Sequence, residues 1–109
     1  MKKVILKEQA QFATERYQKV DLFGSPYMFF YLYCFEPGQA QQGHTHAGSD
    51  KVYYVLEGTA QIEVDSESQT VQAGAAVIAP AGSRHAIKNG SNARLVVLVA
   101  MAPRPSGNS

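Results

Sequence analysis

The three histidines of the chain are the residues whose spacing most directly indicates chemistry. His44 and His46 are separated by one residue, and His85 lies in a later stretch bounded by glycine and proline. Successive side chains of an extended segment point to opposite faces, so His44 and His46 are predicted to share a face. Three imidazoles brought together would leave a metal with open positions for water or substrate. The pattern therefore predicts a metal site with His44, His46 and His85 as ligands.

Both histidine stretches match long motifs. The first stretch matches the glycines and histidines of G(X)5HXH(X)3-4E(X)6G, which are here Gly38, His44, His46 and Gly58. The second stretch matches every named position of G(X)5PXG(X)2H(X)3N, which are here Gly74, Pro80, Gly82, His85 and Asn89. On these motifs the chain resembles the cupin superfamily, as a small single-domain conserved-barrel cupin. The resemblance implies an all-β double-stranded β-helix, or jelly-roll barrel, that holds one divalent transition metal ion (Fe, Mn, Ni or Zn).

One position departs from the first motif. Where proteins of this family usually carry a metal-binding glutamate, the chain has Lys51, preceded by Asp50. A charged ammonium has no lone pair for a metal, so Lys51 is expected to turn away from it or to act on the substrate. Asp50 would face the other side of a regular strand, but a bulge would let it reach the metal. We favour three histidines alone, with Asp50 as a less favoured fourth ligand.

Strand parity also selects pocket residues. If Lys51 points into the barrel, Tyr53 and Glu57 have the same parity and would line the pocket with it. The Tyr53 phenol could donate a hydrogen bond to a substrate, with core packing as its other role. For Glu57 the other role is that of a solvated charge at a strand end. The predicted pocket residues are therefore Lys51, Tyr53 and Glu57.

The elements that must position these residues are short strands separated by turn residues. The predicted strands are residues 4–6, 16–23, 27–35, 51–57, 60–65, 69–72, 76–79, 85–88 and 94–101. No amphipathic helix is evident, and this pattern is typical of an all-β sandwich or barrel. We predict one domain over residues 1–109, with a core at about 27–102, N-terminal strands within 1–26 and a disordered tail at 103–109.

Composition restricts the partners and the compartment. The formal net charge of +1 gives no reason to expect nucleic acid or an anionic membrane as a partner. The single cysteine, Cys34, cannot form an internal disulfide, which favours a reducing compartment. No signal peptide and no membrane-spanning apolar run are evident. We therefore expect a cytoplasmic protein whose ligand is a small molecule.

The segment 27–35 carries large apolar side chains on both faces, although a small barrel has only one interior. One face consists of Met28, Phe30, Leu32 and Cys34, and the other of Tyr27, Phe29, Tyr31, Tyr33 and Phe35. An apolar face left in water would mark an interaction site, which predicts a homodimer. The alternative is that residues 7–23 fold back over their own barrel and cover this face.

The sequence leaves the reaction open between two classes of function. The first is a metal-dependent enzyme of the dioxygenase, isomerase or lyase type, acting on a small polar or carboxylate-bearing metabolite. Iron would suit dioxygen chemistry, whereas zinc or manganese would suit isomerisation or elimination. The second is a non-catalytic binding or sensor protein that uses the same pocket. We favour the enzyme, although fold alone does not decide between them.

Overall fold

The computed structural model describes residues 1–105, and in this range nine strands form two antiparallel sheets. The strands are β1 (Gln18–Ser25), β2 (Met28–Phe35), β3 (Ala40–Thr45), β4 (Asp50–Glu57), β5 (Thr59–Val64), β6 (Glu67–Gln72), β7 (Ala76–Ala79), β8 (Arg84–Lys88) and β9 (Leu95–Ala102). A 3-10 turn at Leu6–Glu8 precedes them. Within this range, no helix has the length and apolar character needed to cross a membrane.

The two sheets form a double-sheet jelly roll, which confirms the predicted all-β fold. The five-stranded sheet has the order β1-β2-β9-β4-β7, and the four-stranded sheet has the order β3-β8-β5-β6. Their inner faces supply a core whose largest members are Tyr31, Tyr33, Phe35, Tyr53, Ile87, Leu95 and Met101. Full burial of one such apolar side chain stabilises the fold by roughly 1.5–3 kcal/mol.

Strand β2 is covered on both faces. Its tyrosine-bearing face packs inside the barrel, while Leu32 and Cys34 are buried in a second cluster on the outer face of the same sheet. This outer cluster is covered in part by the chain's own N-terminal segment, through Val4, Leu6, Ala10 and Phe12. The sequence alternation therefore assigns the two faces of β2 correctly, and the N-terminal segment folds back over the outer face.

Two irregularities in strand pairing affect the interior of the barrel. One lies in β3 between Gln41 and His44, and the other lies in β4 between Val55 and Glu57. In each case the strand holds one more residue than its partner, as in a β-bulge. Since side chains alternate along a strand, each bulge reverses the faces to which later residues point.

Several predicted element bounds need correction. The strand predicted at 4–6 is wrong, because Val4 and Ile5 pair with no strand of the described chain and a 3-10 turn begins at Leu6. Strand β3 is missing from the predicted strands, because its glutamine-rich sequence shows no apolar alternation. The other predicted strands are present with ends shifted by up to two residues.

The segment predicted to be a disordered tail begins directly after β9. In its described part, Ser49 Oγ donates a hydrogen bond of 2.8 Å to the carbonyl oxygen of Pro103. The guanidinium carbon of Arg104 lies 4.3 Å from the centroid of the Phe29 ring. Residues 106–109 lie outside the described residues. Residues 103–104 therefore contact the end of the barrel at which His46 lies.

Candidate metal centre

The three histidines converge at one end of the barrel. One nitrogen ligand atom from each ring lies within 4.8 Å of the other two, and no other group of this kind is present in residues 1–105. The ring centroids of His44 and His85 are 4.5 Å apart, and those of His44 and His46 are 4.8 Å apart. Three imidazoles at this spacing can coordinate one ion.

The bulge in β3 explains how His44 reaches this place. Gln41 lies opposite the buried Ile87 and points inward, so a regular strand would direct residues 43 and 45 inward as well. The extra residue shifts the register, and His44 lies directly opposite the buried His85 of β8. His46 follows two residues later, just beyond the end of β3, and its carbonyl oxygen accepts a hydrogen bond from Gly82 N–H at 2.9 Å.

Backbone contacts orient two of the imidazoles. His44 Nδ1 lies 2.9 Å from the Gln42 carbonyl oxygen, and His85 Nδ1 lies 3.3 Å from the Ser83 carbonyl oxygen. In a neutral imidazole whose Nδ1–H donates to such a carbonyl, Nε2 carries the lone pair. This is the usual way in which a second contact directs a metal-binding histidine.

His85 supplies the strongest indication of an ion. Its ring is 2% exposed, and its Nε2 is buried with no hydrogen-bond partner among the described residues. Burial, reinforced by the positive charge of Lys51, lowers the pKa of His85 to about 4, so the ring is neutral at pH 7. A buried polar atom without a partner is rare and destabilising. A divalent transition metal would satisfy this atom, and the donor set fits such an ion.

Lys51 points into the barrel and is fully buried. Its Nζ donates to the Tyr33 hydroxyl at 2.9 Å and to Gln41 Oε1 at 3.2 Å, and it lies 4.9 Å from the Tyr53 ring centroid. Desolvation, followed by the charge of Lys19, lowers the pKa of Lys51 to about 7. The residue at the family's glutamate position is therefore an interior amine.

Tyr53 lies beside both Lys51 and His85. Its ring is fully buried with its centroid 6.1 Å from that of His85, and its hydroxyl has no hydrogen-bond partner among the described residues. Burial raises the pKa of Tyr53, so the phenol stays protonated and can donate. Of the three predicted pocket residues, Lys51 and Tyr53 are brought next to the histidines.

The two predicted carboxylates do not join this group. Asp50 is exposed, and its Oδ1 accepts a hydrogen bond of 2.8 Å from Ala81 N–H, because Asp50 and Lys51 point to opposite faces of β4. Glu57 is exposed and lies beyond the β4 bulge, opposite Val96 of the outer cluster. The less favoured alternative, with Asp50 as a fourth ligand, and the expectation that Glu57 lines the pocket therefore need correction.

Two interior polar residues near the histidines, Gln41 and Tyr33, have no sequence pattern that distinguishes them. Gln41 Nε2 donates to the Tyr33 hydroxyl at 2.6 Å, and both residues also accept from Lys51. Gln41 occupies a variable position of the first motif, and Tyr33 is one of several tyrosines on the inner face of β2. Only their pairing with Lys51 distinguishes them, and this pairing joins residues distant in the sequence.

The family model for the cupin domain matches residues 31–101, which contain all three histidines. The chain belongs to the cupin family. A solved structure, that of TT1209 from Thermus thermophilus, resembles this cupin with a TM-score of 0.94 and 43% identity, over 96% of this chain and 100% of that chain.

Two relatives carry functional names. The tetracenomycin polyketide synthase protein TcmJ of Streptomyces glaucescens is 36% identical to this cupin over 63% of this chain and 48% of the relative. The polyketide synthase protein CurC of Streptomyces cyaneus is 32% identical over 72% of this chain and 53% of the relative. This cupin thus spans about half the length of both relatives.

Proposed function

We propose that this cupin is a metal-dependent enzyme in which His44, His46 and His85 hold one divalent transition metal ion. The observation that carries this proposal is the buried, unpartnered Nε2 of His85 within a cluster of three imidazoles. A ring that only filled space would either reach water or find a protein partner. The arrangement instead leaves a lone pair pointing into a space shared with two further nitrogen donors.

The residues around the cluster favour a substrate that carries oxygen atoms with negative charge. The bound metal would supply Lewis-acid activation of a substrate oxygen. Neither Asp50 nor Glu57 reaches the histidines, so no carboxylate would offset the positive charge of the ion. Three imidazole ligands are neutral when they bind a metal. Lys51 adds a buried amino group, and Tyr53 offers a protonated hydroxyl. A carboxylate or enolate would be stabilised by all three.

The substrate class is a small polar or carboxylate-bearing metabolite. TcmJ and CurC are both named as polyketide synthase proteins. Polyketides are rich in carbonyl and enol oxygens, so a polyketide is one metabolite that would suit this site. Since this cupin matches only about half of each relative, the substrate is part of the proposal and is to be tested directly.

Metal analysis tests the proposal first. Protein purified without a chelating tag is expected to contain about one transition metal ion per chain, and the triple variant His44→Ala, His46→Ala, His85→Ala should contain none. Gln69→Ala, an exposed change on β6, is the control and should keep the metal. Equal metal content in the triple variant and the wild type would overturn the proposal.

Turnover then separates the enzyme from a binding protein. Candidate carboxylates and polyketides are incubated with metal-loaded wild type under air and under nitrogen, and products are detected by mass spectrometry. Product only under air would indicate an oxygenase, and product under both gases an isomerase or a lyase. Ligand binding without product would favour the non-catalytic alternative.

A further inference from the structure

A pocket of about 350 Å³ lies between the loop after β3 and the segment after β9. Its lining residues are Thr45, His46, Ala47, Gly48, Ser49, Arg104 and Pro105. One proposed metal ligand, His46, is therefore part of its wall. Neither sequence motif includes Arg104 or Pro105, and both lie beyond residues 31–101, which match the cupin family model.

The charge of the pocket is positive. None of its lining residues is acidic, and Arg104 has no carboxylate within salt-bridge distance in the described part of the chain. The Arg104 guanidinium stacks on the Phe29 ring, with 4.3 Å between its central carbon and the ring centroid. Stacking uses the face of the guanidinium and leaves its in-plane N–H donors for a planar anion such as a carboxylate.

Both walls of the pocket are attached to the barrel. Ser49 Oγ donates to the Pro103 carbonyl oxygen, which joins the loop to the C-terminal segment directly. Gly82 N–H donates to the His46 carbonyl oxygen, which fixes the loop to the turn before β8. Positions held in this way reduce the entropy lost when a ligand is bound.

We propose that this pocket is the subsite for a carboxylate group of the substrate, and that Arg104 binds that carboxylate. A substrate held there lies beside His46, the one proposed metal ligand that lines the pocket. That such a substrate reacts at a metal held by the three histidines rests on the proposed function. The carboxylate subsite itself requires only Arg104 and the adjacent loop, and it can be tested without metal.

The test uses sodium benzoate as the probe and benzamide as its uncharged counterpart. Each is titrated into metal-free and zinc-loaded protein, and binding is followed by the amide NMR shifts of Ala47 and Gly48. Benzoate is expected to bind the wild type and benzamide to bind much more weakly. Arg104→Gln should raise the Kd for benzoate at least about tenfold in both forms, because a charge-assisted bidentate contact is lost. Arg104→Lys should give an intermediate Kd.

Arg94→Gln is the matched control. It removes the same charge from an exposed arginine at the opposite end of β9, where Arg94 pairs with Glu36 at 3.0 Å. It should leave the Kd for benzoate within about twofold of the wild type. The proposal is overturned if Arg104→Gln matches the wild type, if Arg94→Gln weakens binding equally, or if wild type shows no benzoate binding in either form.

A separate zinc titration distinguishes this inference from the proposed function. If wild type binds zinc no better than the triple histidine variant, the metal proposal fails. Arg104-dependent binding of benzoate to the metal-free protein would still support the subsite in that case.

Discussion

Lys51 is the residue at which this cupin departs most clearly from its family's motif. Its amino group lies in the barrel interior, held by Tyr33 and Gln41, and burial lowers its pKa to about 7. Transferring a charged amine from water into such a site opposes folding. Because the buried amine opposes folding, we expect Lys51 to act on the ligand.

Replacing Lys51 with methionine should therefore stabilise the metal-free protein. The free energy of unfolding at pH 7 is expected to rise by on the order of 2–4 kcal/mol, since the pKa of the amine falls from 10.5 in the unfolded chain to about 7 in the fold. Gln41 and Tyr33 still bond to each other in this variant. Urea denaturation measures the change.

The pH dependence gives this prediction a second check. The folded form binds the Lys51 proton less tightly than the unfolded chain does. Burial of Lys51 therefore lowers the free energy of unfolding of the wild type by its full amount below about pH 7, and this loss disappears as the pH rises from about 7 to 10.5. The gain from Lys51→Met should shrink over that interval. Lys88→Met, at an exposed position of β8, should change stability by less than about 0.5 kcal/mol. A stabilisation by Lys51→Met that stays constant up to pH 10 would contradict the lowered pKa of Lys51.

A carboxylate at position 51 should strengthen metal binding. Lys51→Glu would remove a positive charge from beside His85 and restore the family's usual oxygen donor, so the Kd for zinc is expected to fall at least about tenfold. Competition with a chromophoric chelator measures it. Asp50→Ala is the control and should leave the Kd unchanged, because the Asp50 carboxylate binds Ala81 N–H. An unchanged Kd in Lys51→Glu would place position 51 outside reach of the ion.

At the scale of the element, strand β3 decides whether the histidines face inward. Its extra residue between Gln41 and His44 brings His44 opposite His85. Arg84 packs directly over Gly43, where an added Cβ would lie 2.2 Å from the guanidinium carbon of Arg84. The bulge therefore sets the direction in which the ligand His44 points, although neither Gln42 nor Gly43 is itself a ligand.

Deleting both Gln42 and Gly43 should turn His44 and His46 away from His85, because Gln41 and His44 would become neighbours that point to opposite faces of a regular strand. The shortened strand would pair regularly with β8, and the Kd for zinc should rise by more than about a hundredfold, beyond the 10- to 100-fold typical of lost outer contacts. Gln42→Ala keeps the chain length and should bind zinc as the wild type does. Circular dichroism checks that the deleted variant is folded, and a folded variant with unchanged affinity would contradict this role.

At the scale of the whole molecule, the outer face of the five-stranded sheet is only partly covered by the N-terminal segment. An apolar groove of about 580 Å³ on this face is lined by Lys2, Val4, Leu6, Leu22, Phe23, Met28 and Phe30. Phe23 is 47% exposed there. The homodimer remains a prediction, and this groove gives its location.

Phe30→Glu should give a folded monomer. Phe30 lies on the outer face of β2, and a carboxylate there would oppose apolar contact between two copies. Light scattering at micromolar concentration should give about twice 11.9 kDa for the wild type and 11.9 kDa for the variant. Tyr31→Glu places the charge in the core and should fail to fold. A monomeric wild type would refute the dimer.

Local patterns indicated that His44 and His46 share a face, divided the β2 side chains into two faces and predicted the all-β fold. Each of these depends on spacing within one segment, because side chains alternate along a strand and turns need particular residues. The family motifs then placed His44, His46 and His85 in one site, and the structure brings their rings together.

Tertiary structure decided the rest. Whether Asp50 or Lys51 enters the barrel, and whether Glu57 joins it, depends on pairing with β7 and β9 and on a bulge that no local pattern indicates. The bonds from Lys51 to Gln41 and Tyr33, and the pocket lined by both His46 and Arg104, bring together residues far apart in the chain. Such contacts form only when the strands are paired in register, so the sequence alone could not specify them.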